Sequence, residues 1–175
     1  MRDATTTSPE PAAKGGRVRP TVAFMLARLS RVIALGFGSG LSPVAPGTMG
    51  TLWAWASWFV LAKWLSSLEI LGVCAAGFAL GVWACTRTGE ALGATDHGAI
   101  VWDEVIAFWL VLSLAPGGFA AQAAAFLLFR FFDIVKPPPI RHFDATIKNG
   151  FGVMFDDLVA AFYALLVLAA WRWLG

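Results

Sequence analysis

Charge is kept out of most of this chain, and that constrains its fold more than any other feature. The runs 70–85, 105–115 and 119–129 contain no Asp, Glu, Lys or Arg, and the runs 51–65 and 158–174 contain one basic residue each. A chain built this way cannot clothe an ordinary soluble core. Charged residues make up 14% of it, against about 25% in soluble domains. With 58% hydrophobic residues and nine Trp, the reading is an integral membrane protein.

The apolar runs divide the chain. Residues 1–20 are rich in Thr, Ser, Pro and basic side chains and predict a flexible basic tail. Residues 21–175 then form one helical membrane domain, too short for two. Residues 21–37 have apolar positions at helical spacing, interrupted by Arg28 and Arg31, which suits an amphipathic helix at the interface. Residues 36–50 repeat Gly and Pro and read as loop, with Thr48 placed to cap a helix over 51–65. A second span covers 70–85, whose Gly and Ala suit close helix contacts. A polar connection, 90–104, precedes two apolar halves that turn at Pro116-Gly117-Gly118, and 158–174 is the last span. The fold class is therefore an all-α, multi-pass membrane bundle of about four to five transmembrane helices plus an N-terminal interfacial helix.

Arg2, Lys14, Arg17, Arg19, Arg28 and Arg31 precede the first long apolar run and put the N-terminus in the cytoplasm. Successive crossings then bring 36–50, 87–104 and 130–157 to the same cytoplasmic face. The basic residues lack the context of a nucleic-acid surface, so no nucleic-acid partner is expected. Cys74 and Cys85 predict buried, reduced thiols, with no zinc spacing around them. Nothing specifies an oligomeric state. No internal repeat supports an inverted-repeat transporter, and Gln122 is almost the only polar residue within a span. A structural subunit that binds anionic lipid without turnover fits the same composition.

The chemistry is concentrated between the spans. Asp103, Glu104, Asp133, Asp156 and Asp157 lie at helix ends, where ionised side chains beside lipid are costly and commonly serve function. Carboxylates gathered from several helices suit Mg²⁺, which takes oxygen ligands and leaves room for water and phosphate. Each adjacent acidic pair could equally be a favourable charge at a helix N-terminus. Arg130, Asp133 and Lys136 share one helical face, either as a surface ion-pair ladder or as a phosphate grip beside a metal ligand. Pro137-Pro138-Pro139 ends that helix, either as a plain terminator with basic residues at the interface or as a rigid turn that fixes Lys136 and Arg141 beside the acids, and Asp144 is an orienter or a helix cap. Gly47 and Thr48 lie where backbone N–H groups could cradle phosphate, although the loop has no Walker ending. Of the two histidines, His97 and His142, His97 lies in a polar loop and reads as an exposed loop histidine rather than a proton relay. No cysteine-phosphatase loop and no histidine-nucleophile pattern is present. Water activated by a metal remains.

The segments 36–52, 96–104, 129–144 and 149–163 together resemble the phosphatidylglycerophosphatase A family, in order and over about residues 30–165. The resemblance implies an all-helical, Mg²⁺-dependent lipid phosphatase of the bacterial inner membrane. It would convert phosphatidylglycerophosphate to phosphatidylglycerol. The matched positions imply Asp103, Glu104, Asp133, Asp156 and Asp157 as catalytic and metal-ligating acids. Arg130, Lys136 and Arg141 would be phosphate-binding, and Gly47 and Thr48 lie in the first matched segment. Pro138 stands where the family often has Trp, and Ala107 where it often has Gly; both bear on local shape and packing.

Overall fold

The structure, a computed structural model, describes residues 19–115, 117–138 and 140–174, and for 143–145 the backbone alone. Residues 1–18 of the basic tail, Pro116 of the Pro-Gly-Gly turn and the Asp144 side chain lie outside that description. The described residues form eight α-helices and one 3-10 segment and contain no strand. The helices are α1 (Val22–Leu26), α2 (Leu29–Ala34), α3 (Pro46–Trp64), α4 (Ser67–Leu92), α5 (Trp102–Leu114), α6 (Phe119–Val135), α7 (Ile140–Thr146) and α8 (Gly150–Leu174).

The short helix α5 is the centre. Its residues Trp102 to Trp109 are all buried, and it packs against α3, α4 and α8. A helix apolar on every face belongs inside a bundle rather than on its surface. The indole N–H groups that come with so much Trp are satisfied in place. Trp102 donates to the Gly77 carbonyl at 3.0 Å, Trp109 to the Ala54 carbonyl at 3.0 Å, and Trp55 to Gln122 Oε1 at 2.8 Å. Gln122, the lone polar residue of its run, thus serves the packing of α3 on α6. Gly81 lets three helices meet: a Cβ there would fall 2.7 Å from both Met154 Cε of α8 and Trp102 Cδ1 of α5.

Two of the described helices, α4 and α8, are long and apolar enough to cross a bilayer. Large apolar side chains such as Phe59, Val60, Phe131, Ile134 and Phe162 face outward, each more than half exposed, a surface suited to an apolar environment.

Several boundaries differ from the sequence expectation, each for a local reason. The amphipathic helix over 21–37 is two short helices, because Arg28 takes an extended conformation (φ −152°) and starts α2 afresh. Residues 36–41 form the 3-10 segment. Helix α3 starts at Pro46, not after Thr48, since Pro is preorganised for a first helical position and lacks only an N–H that would go unpaired. Thr48 therefore lies inside the first turn, and the cap position is Ala45, left-handed at φ +44° with no side-chain cap bond. Helix α4 begins with a Ser66–Glu69 capping box and runs on to Leu92, where left-handed Gly93 stops it. The polar connection is thereby shortened at its start.

Candidate active site

Three helices, α5, α6 and α8, bring the charged residues together. Asp103 and Glu104 occupy the first turn of α5, where negative charge is favoured. Asp157 comes from α8. It does not begin that helix, as the sequence suggested: α8 starts at Gly150, whose turn is tied down by Asn149 Oδ1 accepting from the Gly152 N–H at 3.0 Å. A helix-terminus role therefore cannot account for Asp156 and Asp157, which sit nearly two turns in.

One carboxylate oxygen from each of Asp103, Glu104 and Asp157 lies within 4.8 Å of the others. The three residues are only 7%, 9% and 3% exposed. Asp103 Oδ1, Glu104 Oε2 and Asp157 Oδ2 are buried and have no hydrogen-bond partner in the structure. Buried polar atoms are ordinarily paired, and ionised carboxylates this close repel one another. A hard cation accepting all three oxygens relieves both problems. The donor set therefore fits a divalent metal.

The other two acids are already partnered. On α6, Arg130 Nη1 pairs with Asp133 Oδ2 at 2.5 Å and reaches Glu104 Oε1 at 3.6 Å. Its Nε is buried without a partner. Lys136 caps α6 in a left-handed conformation (φ +45°). That turn takes its ammonium off the Arg130–Asp133 face and across to Asp156 Oδ2 of α8, 2.5 Å away. Asp156 Oδ1 in turn accepts from the Asp157 N–H at 3.2 Å. Of the two readings, the surface ladder along one face is not what forms: Arg130 pairs with Asp133 and Lys136 reaches Asp156 of α8.

Helix α3 closes the site from the other side. A Cβ at Gly47 would run into Glu104 Oε1 and come 3.1 Å from Arg130 Nη2, so a side chain there would displace the pair. Thr48 is half-buried, and among the described residues no contact joins its side chain to the acids. Thr51, which the sequence reading passed over, is fully buried, donates to the Gly47 carbonyl at 2.9 Å and lies 3.5 Å from Arg130 Nη1. Its spacing of one helical turn after Gly47 was the available signal. Arg141 is exposed on α7, and no ion pair joins it to the acids among the described residues. His142 is exposed on the same helix. His97, expected to be exposed, is only 6% so. Its loop folds inward, and Nδ1 accepts from the Ala99 N–H at 3.2 Å. Cys74 and Cys85 are buried and unbridged.

Residues 32–172 match the family described as phosphatidylglycerophosphatase A. The chain is 46% identical over 140 residues to a phosphatidylglycerophosphatase A of Haemophilus influenzae, covering 79% of this chain and 86% of that one. It is 44% identical over 134 residues to the Escherichia coli protein of the same name, covering 74% of this chain and 75% of the relative. A Bacteroides thetaiotaomicron protein, provisionally named a phosphatidylinositol-3-phosphatase, is 39% identical over 149 residues, covering 81% of this chain and 92% of its own. No solved structure matches.

Proposed function

The chain belongs to the phosphatidylglycerophosphatase A family, and from that premise we propose that it hydrolyses the terminal phosphate of phosphatidylglycerophosphate to give phosphatidylglycerol, a step of phospholipid biosynthesis. The observation that carries this reading is the trio of buried, unpartnered carboxylate oxygens on Asp103, Glu104 and Asp157 beside Arg130.

Mg²⁺ held by Asp103, Glu104 and Asp157 would supply Lewis acidity toward a phosphoryl oxygen and acidify a bound water. The chain's own residues do the rest. Arg130 offers its fixed guanidinium to the phosphoryl oxygens. Asp133 holds that guanidinium at its Nη1. Lys136 adds positive charge from the helix end, and Asp156 holds its ammonium next to Asp157. Water adds to phosphorus as the ester oxygen leaves, and the glycerol hydroxyl takes up a proton.

The same reading places the protein in the bacterial inner membrane. Helices α4 and α8 cross it, and the apolar helices α3, α5 and α6 bring the crossings to four or five. The basic N-terminal side and the acids would lie at the cytoplasmic face. The name of the Bacteroides relative favours a second reading, a phosphatase acting on another lipid phosphate. Purified protein assayed in mixed micelles on phosphatidylglycerophosphate, phosphatidate and phosphatidylinositol 3-phosphate, with and without Mg²⁺, tests both. Phosphatidylglycerophosphate is expected to be the preferred substrate and Mg²⁺ to be required. Preference for the inositol lipid would establish the second reading, and full activity in chelator would remove the metal from the first.

A further inference from the structure

A basic cavity of about 600 Å³ lies between α2 and α4, and none of the five acids lines it. Its walls include Arg28, Ser30, Arg31, Trp83, Arg87 and Glu90. The volume is in the range of small-ligand sites, ~300–1,000 Å³. Trp83, Arg87 and Glu90 are spaced four and three apart and share one exposed face of α4. The opposite face, with Gly81, Ala84, Cys85 and Thr88, is buried in the bundle. Three guanidinium groups meet one carboxylate here, and that carboxylate, Glu90, lies 3.6 Å from Arg87. Arg28 has no ion pair among the described residues.

Arg31 is held in position. On one unbroken helix, residues seven apart stand about 10 Å apart along the axis. Because Arg28 is extended, α1 folds back on α2, and the Arg31 guanidinium lies 3.9 Å over the Phe24 ring and donates from Nη1 to the Phe24 carbonyl at 3.2 Å. Its Nη2 has no partner among the described residues, and it is not enclosed as Nε is. Ser30 beside it is only 5% exposed. Its carbonyl accepts from Thr88 Oγ1 at 3.3 Å, which ties α2 to α4. Its hydroxyl has no hydrogen-bond partner among the described residues and is not enclosed either. A hydroxyl on so buried a residue is ordinarily bonded.

We propose that this cavity seats the headgroup of an anionic phospholipid, apart from the acid site, with Arg28, Ser30 and Arg31 donating to its phosphate oxygens. A guanidinium fork fixed in position suits phosphate. The excess of guanidinium over carboxylate repels the cationic end of a zwitterionic headgroup and favours one of net negative charge. The surface below the cavity points to a lipid rather than a free phosphate. The same face of α4 continues as Leu80, Ala79 and Ala76, all exposed, so an apolar stripe for acyl chains adjoins a cationic seat for phosphate. Trp83, 45% exposed, stands between them, where Trp is favoured at headgroup level. Helix α4 is long and apolar enough to cross a bilayer, and the cavity lies toward its C-terminal end.

The test is lipid retention by the detergent-solubilised protein in native mass spectrometry, with phosphatidylserine and phosphatidylcholine of the same acyl chains. Phosphatidylserine is anionic and is neither substrate nor product of the proposed hydrolysis. Wild type should prefer it to phosphatidylcholine. Arg28→Gln and Arg31→Gln should each weaken its retention about tenfold, the scale of one charge-assisted contact. Arg31→Lys keeps the charge without the fork and should fall between them and wild type. Ser30→Ala, which changes no charge, should cost about fivefold. Arg28 is exposed, so its variant separates binding from folding. Equal retention of the two lipids by wild type, or phosphatidylserine retention unchanged in Arg28→Gln, would overturn the proposal.

Two further arms separate a seated headgroup from its rivals. Arg19 is exposed and does not line the cavity. Arg19→Gln should leave retention within about twofold of wild type, as loss of a screened, distant charge does. A loss equal to that of Arg28→Gln would mean diffuse attraction between basic residues and anionic lipid and would overturn the site. Inorganic phosphate in large excess should not displace phosphatidylserine; displacement would give the cavity to free phosphate and overturn the lipid assignment. Binding is read here without turnover, so the result is the same whether or not the hydrolytic reading holds.

Discussion

Asp103, Glu104 and Asp157 contrast with Asp133 and Asp156. In the sequence all five are acids at the edges of apolar runs. In the structure they fall into two kinds. The first three present buried oxygens to one another with nothing between them. The other two are each in close contact with a cation, Arg130 or Lys136, at 2.5 Å, whereas in the trio only Glu104 reaches one, Arg130 at 3.6 Å. A buried carboxylate oxygen with no hydrogen-bond partner is suited to a cation; a carboxylate in close contact with an ammonium or guanidinium is suited to positioning it. On the proposed reading, the contrast gives ligation to the trio and orientation to the pair.

The strongest way to break that division is to neutralise one acid of each kind. Asp157→Asn or Asp103→Asn removes a charged oxygen from the trio and should lower kcat/KM by about a thousandfold or more, on the scale of losing ~4 kcal/mol of transition-state stabilisation. Raising Mg²⁺ should recover part of the loss if affinity is the cause. Asp133→Asn leaves the trio intact and frees Arg130 Nη1, so the expected loss is about 10–100-fold, the usual effect of removing an orienting partner. Steady-state kinetics across a Mg²⁺ titration checks both, and the reverse order of severity would dissolve the distinction.

Much of the helical layout could be read in advance because long apolar runs and their breaks mark helices and turns directly. The helical runs, the hairpin halves on either side of 116–118 and the need for small residues in α4 all follow from local composition. Partnership could not be read, because it depends on which helices meet. Spacing put Arg130, Asp133 and Lys136 on one face, but a left-handed backbone at Lys136, a conformation a Lys rarely adopts, sent its ammonium to α8. His97 looked exposed because its neighbours Asp96 and Gly98 are loop residues. Only the inward fold of that loop onto the 36–46 turn buries it. Thr51 was hidden by the expectation of a loop up to Gly50, which masked the helical register it shares with Gly47.

The Lys136–Asp156 pair gives a smaller and more structural test. Asp156 is buried, but the Lys136 side chain is 24% exposed, so solvent screens the pair in part. Lys136→Met removes the ammonium from Asp156 and should destabilise the protein by less than the ~3–5 kcal/mol that breaking a fully buried pair costs. Activity should fall about tenfold as Asp157 loses its fixed neighbour. The double variant Lys136→Met, Asp156→Leu removes both charges and should recover much of the stability without the activity. A thermal melt in detergent alongside the assay separates the two effects. Recovery of both together would mean that the pair only holds α6 to α8.

The smallest effect is expected at Arg141, and it sharpens the comparison from outside. By its place in the sequence Arg141 belongs with Arg130 and Lys136 as a phosphate-binding residue. By its place in the fold it is exposed on α7, with no ion pair to any of the five acids among the described residues. An exposed charge beyond the buried cluster is screened by water and salt. Arg141→Gln should therefore change kcat by no more than about twofold, and any rise in KM should vanish at high ionic strength, the mark of long-range attraction of an anionic lipid rather than contact. A loss of kcat that persists in salt would mean that α7 swings inward when substrate binds. The division between ligating and orienting groups would then describe only the resting site, with Arg141 joining Arg130 on the phosphoryl group in the reacting one.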